Sequence, residues 1–158
     1  MSTLIMALKT SISDVLEKMF YMPFEFEDNE HMEEGVSLGE GALYACRINF
    51  TGSISGFFTL MLPEEVLSHM TENFMGLRKE EIEDNYLGET LKEFLNMIAG
   101  NTFSNYNENE AFHLSIPQLI KPAQALSASG CKNIQGERTI ITQTPAGYLL
   151  FKITVLMT

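Results

Sequence analysis

Positive charge is scarce in this chain. Ten Lys and Arg stand against twenty-one Asp and Glu over 158 residues, a formal net charge of −11, and no segment gathers the cations that a phosphate backbone demands. Nucleic acid is excluded as an expected partner. A protein with a basic rim suits this surface better, and such attraction weakens with added salt. Cysteine is scarce as well: Cys46 and Cys131 lie far apart with no Cys-x-x-Cys, which reads as two reduced thiols rather than a disulfide framework. His31, His69 and His113 are scattered without ligand spacing, so no metal site held by this chain is expected. Long hydrophobic runs are missing too. The opening Met1–Lys9 has no basic leader, and Lys9, Ser13 and Asp14 interrupt its apolar positions. Neither a signal peptide nor a membrane span is expected, and the expected location is cytoplasmic.

What is present suffices for one domain, residues 1–158, which at this length buries about 70% of the surface its unfolded chain exposes. Leu4, Ile5, Leu8, Ile12, Val15, Leu16 and Met19 recur at helical intervals before Pro23, predicting a helix over 4–20. The six carboxylates between Glu25 and Glu34 lack the alternation and central glycine of a calcium loop and read as a solvated loop. Ala42–Phe50 and Ile54–Leu62 predict a hairpin through Thr51-Gly52-Ser53. Pro63-Glu64-Glu65 suits a helix start and Gly76 its stop. A further helix, capped by Asp84 or Asn85, runs to about Gly100, followed by a short strand over Ala111–Ile116. Arg138–Thr142 and Tyr148–Leu156 predict a second hairpin around Thr144-Pro145-Ala146-Gly147, while Lys121–Gln135 has no clear period and reads as loop or irregular strand. Helix plus hairpin thus occurs twice, and Ser13-x3-Glu17-x2-Phe20 in the first helix has the spacing of Glu89-x3-Glu93-x2-Asn96 in the later one.

That later helix carries the chemistry. At about 100° per residue, Glu89, Glu93, Asn96 and Gly100 share a narrow arc, while Leu87, Leu91, Phe94, Leu95 and Ile98 face the opposite way. One face packs and the other offers two carboxylates and a carboxamide. Asn is a mediocre helix former, so its place in mid-helix points to a local bond or a task. A carboxamide both donates and accepts hydrogen bonds, which suits holding a water molecule in place, a task of positioning rather than covalent work. No convincing nucleophile stands elsewhere: Gly52-Ser53-Ile54-Ser55-Gly56 places Ile where an elbow requires Ser.

Glu89, Glu93, Asn96 and the later Pro117 together resemble the signature of the CheC/CheX/FliY-type chemotaxis phosphatases, closest to CheX-like members with one site. The resemblance implies an α/β (α+β) fold with helices packed on a largely antiparallel sheet and two pseudo-repeated helix-plus-hairpin units. It implies a phosphatase that hydrolyses the aspartyl phosphate of a CheY-type response regulator, the phosphorylated regulator being the partner and Mg²⁺ sitting in the regulator's own pocket. By residue-for-residue transfer, Asn96 orients the attacking water and Glu93 pairs with the regulator's lysine. Glu89, Gly100 and Pro117 contribute to partner binding, although Asp or Ser is more typical than Glu at the position of Glu89. Phe20 stands where a second amide would be, so one site is expected. The resemblance also implies a homodimer formed through strand edges. Two rival readings are a noncatalytic module that docks a response regulator or flagellar switch component, and a ligand-sensing domain on the same fold, marked by a buried Asn96.

Overall fold

Apolar side chains spaced three and four apart fold as α1 (Ser2–Met19), with Leu4, Leu8, Ile12, Val15 and Leu16 buried along one stripe. The computed structural model describes residues 1–27, 38, 41–126 and 133–157. After α1 come β1 (Glu25–Phe26), the hairpin of β2 (Leu43–Thr51) and β3 (Ser55–Pro63), and α2 (Glu64–Met75). A single 3-10 turn (Lys79–Glu81) leads into the long α3 (Asp84–Tyr106). Two short strands, β4 (His113–Leu114) and β5 (Gln118–Ile120), are followed by α4 (Pro122–Leu126) and the hairpin of β6 (Ile134–Thr144) and β7 (Gly147–Leu156). Gly76 closes α2 in the left-handed region, at φ 65, where its N–H returns to the Glu72 carbonyl; a side chain there would be strained.

The strands form one seven-stranded sheet in the order β1-β6-β7-β3-β2-β4, with β5 also on β2, and the described pairings are all antiparallel. This order reads the same from either half of the chain. The two hairpins meet at β3 and β7, and the short strand of each half pairs with the first hairpin strand of the other. The pseudo-repeat seen in the sequence is therefore built into the sheet, with the short strands exchanged across it.

β3 and β7 are innermost; β3 is buried from Gly56 to Leu62 with Thr59 its one polar residue there, and β7 is mostly apolar but interrupted by Lys152 and Thr154. Cys46, Ile48, Phe50, Phe58, Leu60, Phe151 and Ile153 meet the helices in the main core, while Ala45, Met61 and Ala125 form a small cluster on the opposite side. Phe94 of α3 joins the layers: its ring lies 4.9 Å from Phe20 after α1 and 5.9 Å from Phe151 of β7. Among the described residues no helix is long and apolar enough to cross a membrane.

Several boundaries differ from the sequence expectation. α3 runs six residues past Gly100 to Tyr106, held by buried Thr102 and Phe103. The strand placed over 111–116 is instead the pair β4 and β5, interrupted at 115–117. The segment without a period contains α4, too short to show one, and the start of β6, whose first residues carry few apolar side chains. The acidic loop begins with the two residues of β1, and residues 28–34 of it, with His31 and Cys131, lie outside the described residues.

Candidate functional site

α3 separates its faces as its sequence requires. Leu87, Leu91, Phe94, Leu95 and Ile98 are buried, and Glu89, Glu93 and Asn96 are exposed. Glu83 occupies the N-cap and Asp84 the first turn, where a carboxylate is favoured by the helix dipole. In the later turns Thr102 Oγ1 donates to the Ile98 carbonyl at 2.7 Å and Ser104 Oγ to the Gly100 carbonyl at 3.1 Å.

The stripe's charges are not equivalent. Lys92 Nζ lies 2.8 Å from Glu89 Oε1, an i,i+3 pair on the helix surface, so Glu89 is engaged within its own chain. Among the described residues Glu93 has no ion pair, and neither Glu93 nor the Asn96 carboxamide has a hydrogen-bond partner. A carboxylate and an amide three residues apart, neighbours on a helix surface, thus face solvent with their bonding capacity unspent.

Gly88 and Gly100 bracket this stripe and differ in cause. A Cβ at Gly88 would stand 2.9 Å from Leu119 Cδ1, so glycine there leaves room for the end of the Leu119 side chain. A Cβ at Gly100 would meet nothing within 4 Å, and nothing in the surrounding fold asks for glycine in mid-helix, where it costs about 1 kcal/mol relative to Ala. Beside it lies a hollow of about 310 Å³ lined by Gly100, Phe103, Ser104, Asn107, Phe112 and Leu114. Gly100→Ala is expected to raise stability by about 0.5–1 kcal/mol in thermal unfolding while slowing any reaction that needs close approach there. A variant that is stabilised and keeps full activity would mean that no visitor uses the bare surface.

Pro117 sits in a β-bulge. β4 pairs Phe50 with Leu114, and β5 pairs Arg47 with Gln118, so four steps on one strand oppose three on the other. Ser115 closes the gap: its N–H donates to the Asn49 carbonyl at 2.9 Å, and its Oγ accepts the Asn49 N–H at 2.9 Å. Pro117, with no N–H to satisfy, suits such a break at a sheet edge. The sequence marked Pro117 but not the bulge, because its position depends on the register with β2, dozens of residues away. Leu119 and Gly88 were missed for the same reason.

The other candidates are ruled out by position. In the first helix Phe20 is wholly buried and stacks on Phe74 at 4.9 Å, and α1 ends at Met19, so the position matching Asn96 belongs to the core. Cys46 is buried and its thiol is pushed up to about 12 by that burial, against smaller lowering effects of the Arg47 backbone N–H and Lys92; it offers no thiolate at neutral pH. Among the described residues no group of three or more His, Cys, Asp or Glu could hold a metal ion. A larger hollow of about 800 Å³ lies over the start of α2, against Glu64, Glu65, His69 and Glu72, a charged cleft rather than an apolar chamber.

The family model described as chemotaxis phosphatase CheX matches residues 44–136, which include β2 except its first residue, β3, all of α3 and the bulged edge. Among solved structures, the chemotaxis protein CheX from Vibrio vulnificus superimposes with a TM-score of 0.72 at 13% identity, covering 96% of this chain and 95% of that one. The complex of CheX with CheY, BeF3 and Mg²⁺ from Borrelia burgdorferi gives 0.70 at 14% identity, with 98% of each chain covered. FliY from Thermotoga maritima gives 0.58 at 12%, covering 96% of this chain and 84% of that one. At such identities the likeness speaks for the fold. No curated protein sequence matches this chain as a relative.

Proposed function

This chain belongs to the chemotaxis phosphatase CheX family, and from that premise we propose that it hydrolyses the aspartyl phosphate of a CheY-type response regulator by completing the regulator's own active site. The observation that carries the reading is the exposed Asn96 beside Glu93, neither with a hydrogen-bond or ion-pair partner among the described residues, on the deeply packed α3. An Asn96 turned inward into structural hydrogen bonds would instead have favoured a ligand-sensing domain.

In this proposal the carboxamide oxygen of Asn96 accepts a hydrogen bond from a water molecule and holds its oxygen in line with phosphorus. An amide is too weak a base to take the proton, so the contribution is orientation. The water oxygen bonds to phosphorus as the bond from phosphorus to the aspartyl oxygen breaks. The regulator's carboxylate is regenerated, and inorganic phosphate leaves with the displaced proton. The regulator brings Mg²⁺ and a lysine that neutralise charge on the phosphoryl oxygens; the solved Borrelia complex holds CheX, CheY, BeF3 and Mg²⁺ together. Glu93 meets the lysine and sets the register of docking, while Glu89, tied to Lys92, shapes the rim. Gly100 keeps the approach clear, and Pro117 fixes the strand edge alongside. The protein works as one domain in the cytoplasm.

The acid has its own test. Glu93→Gln keeps the shape and removes the charge, and is expected to raise the concentration for half-maximal dephosphorylation about tenfold, with a smaller change in the maximal rate. The variant should also lose part of the wild type's sensitivity to salt. Unchanged concentration and salt dependence in steady-state assays would remove Glu93 from docking.

A further inference from the structure

The edge strand beside α3 carries a feature that the phosphatase signature does not account for. Among the described residues the large exposed apolar side chains are methionines, Tyr21, Ile116 and Leu119, with Ile116 82% and Leu119 49% accessible. The two branched aliphatics therefore fall on one short edge, three residues apart. Scattered single apolar residues need no explanation, but two together beside a polar stripe do.

Their place along α3 follows from its two ends. Leu119 packs at Gly88, and Leu114 lines the hollow beside Gly100. The twelve steps of helix between these glycines rise about 18 Å, and the five steps of chain between the leucines, bulge included, reach at most about 17 Å. Between these two points the edge runs antiparallel to the helix, so the bulge of Ser115, Ile116 and Pro117 lies along the stretch of α3 that includes Lys92, Glu93 and Asn96. The fold does not need the Ile116 side chain there, because Ser115 already satisfies the ladder and Pro117 has no donor to lose.

We infer that Ile116, supported by Leu119, is an apolar anchor that docks the CheY-type receiver domain beside Asn96 and sets which receivers this chain accepts. The inference rests on the reading given under Proposed function. The anchor is continuous with the proposed catalytic stripe, so a receiver close enough to meet Asn96 covers the bulge as well. The unpaired Glu93 draws a cation on one side, and the β-branched Ile116, with few rotamers to lose, buries apolar surface on the other. Charge sets the approach and the anchor sets the residence time.

The experiment measures binding of a CheY-type receiver from the same organism, activated with beryllofluoride and Mg²⁺, to wild type, Ile116→Ala, Ile116→Val and Asn96→Ala. Ile116→Ala is expected to weaken binding about tenfold with an unchanged thermal midpoint, and Ile116→Val to restore most of it. In dephosphorylation assays the Ala variant should raise the half-saturating concentration more than it lowers the maximal rate. Equal affinity for wild type and Ile116→Ala, with Asn96→Ala inactive, would overturn the anchor and leave the phosphatase reading standing. A mass change of the chain alone on Ile116→Ala in light scattering, without loss of receiver affinity, would make the patch a contact between copies and overturn it equally. An Asn96→Ala variant that dephosphorylates like wild type would defeat the phosphatase reading and take this inference with it.

Discussion

Asn96→Ala is expected to slow dephosphorylation of a CheY-type regulator on the order of a hundredfold or more, about 3 kcal/mol, the usual loss when one preorganised polar contact to a transition state is removed. The side chain is exposed and has no hydrogen-bond partner among the described residues, so its removal leaves no cavity and no stranded polar group. Ala is also the better helix former, by about 0.5 kcal/mol. The thermal midpoint should therefore stay level or rise slightly while the rate collapses. Binding of the activated regulator should persist, because Glu93 and the neighbouring edge remain. Loss of rate with retained binding and stability is the mark of a residue that acts on water. A fall in stability of the same size would make Asn96 a structural residue instead.

The second large effect lies one residue from the stripe and has the opposite character. Phe94→Ala is expected to destabilise the chain by about 3–5 kcal/mol, the range for emptying an aromatic site in a core. Phe94 is completely buried and lies against both Phe20 and Phe151, so its loss opens a cavity where α3 meets the end of α1 and the sheet. Those contacts hold the backbone on which Glu93 and Asn96 are mounted. Denaturant titration should show the midpoint falling by an amount that a conservative Phe94→Leu largely recovers. Activity of the Ala variant, assayed where it is still folded, should also drop, because a loosened α3 no longer holds its amide in register. A loss of less than about 1 kcal/mol would show that the layers do not depend on this ring.

The contrast between these neighbours explains why the candidate site could be read before the fold was known. A helix that puts Phe94 inside and Glu93 and Asn96 outside writes both facts into local spacing, since its period is intrinsic. The hairpins β2–β3 and β6–β7 were legible for the same reason. The parts that stayed hidden depend on partners distant in sequence. The exchange of β1 and β5 between the two halves is decided by pairing with β6 and β2. The bulge at 115–117 is a mismatch of register that exists only once Arg47 and Phe50 lie opposite. Phe20 shows the limit from the other side: its spacing matched that of Asn96, and only packing against Phe74 and Phe94 revealed it as core.

In the proposed reaction this chain reaches out to a receiver domain and helps water remove its phosphoryl group. The most direct measurement follows inorganic phosphate released from a phosphorylated CheY-type regulator of the same organism, with Mg²⁺ present and the chain at a small fraction of the regulator's concentration. Many turnovers per chain are expected, with a rate proportional to the amount of chain added. Phosphate released at the regulator's own rate, whatever the amount of chain, would contradict it.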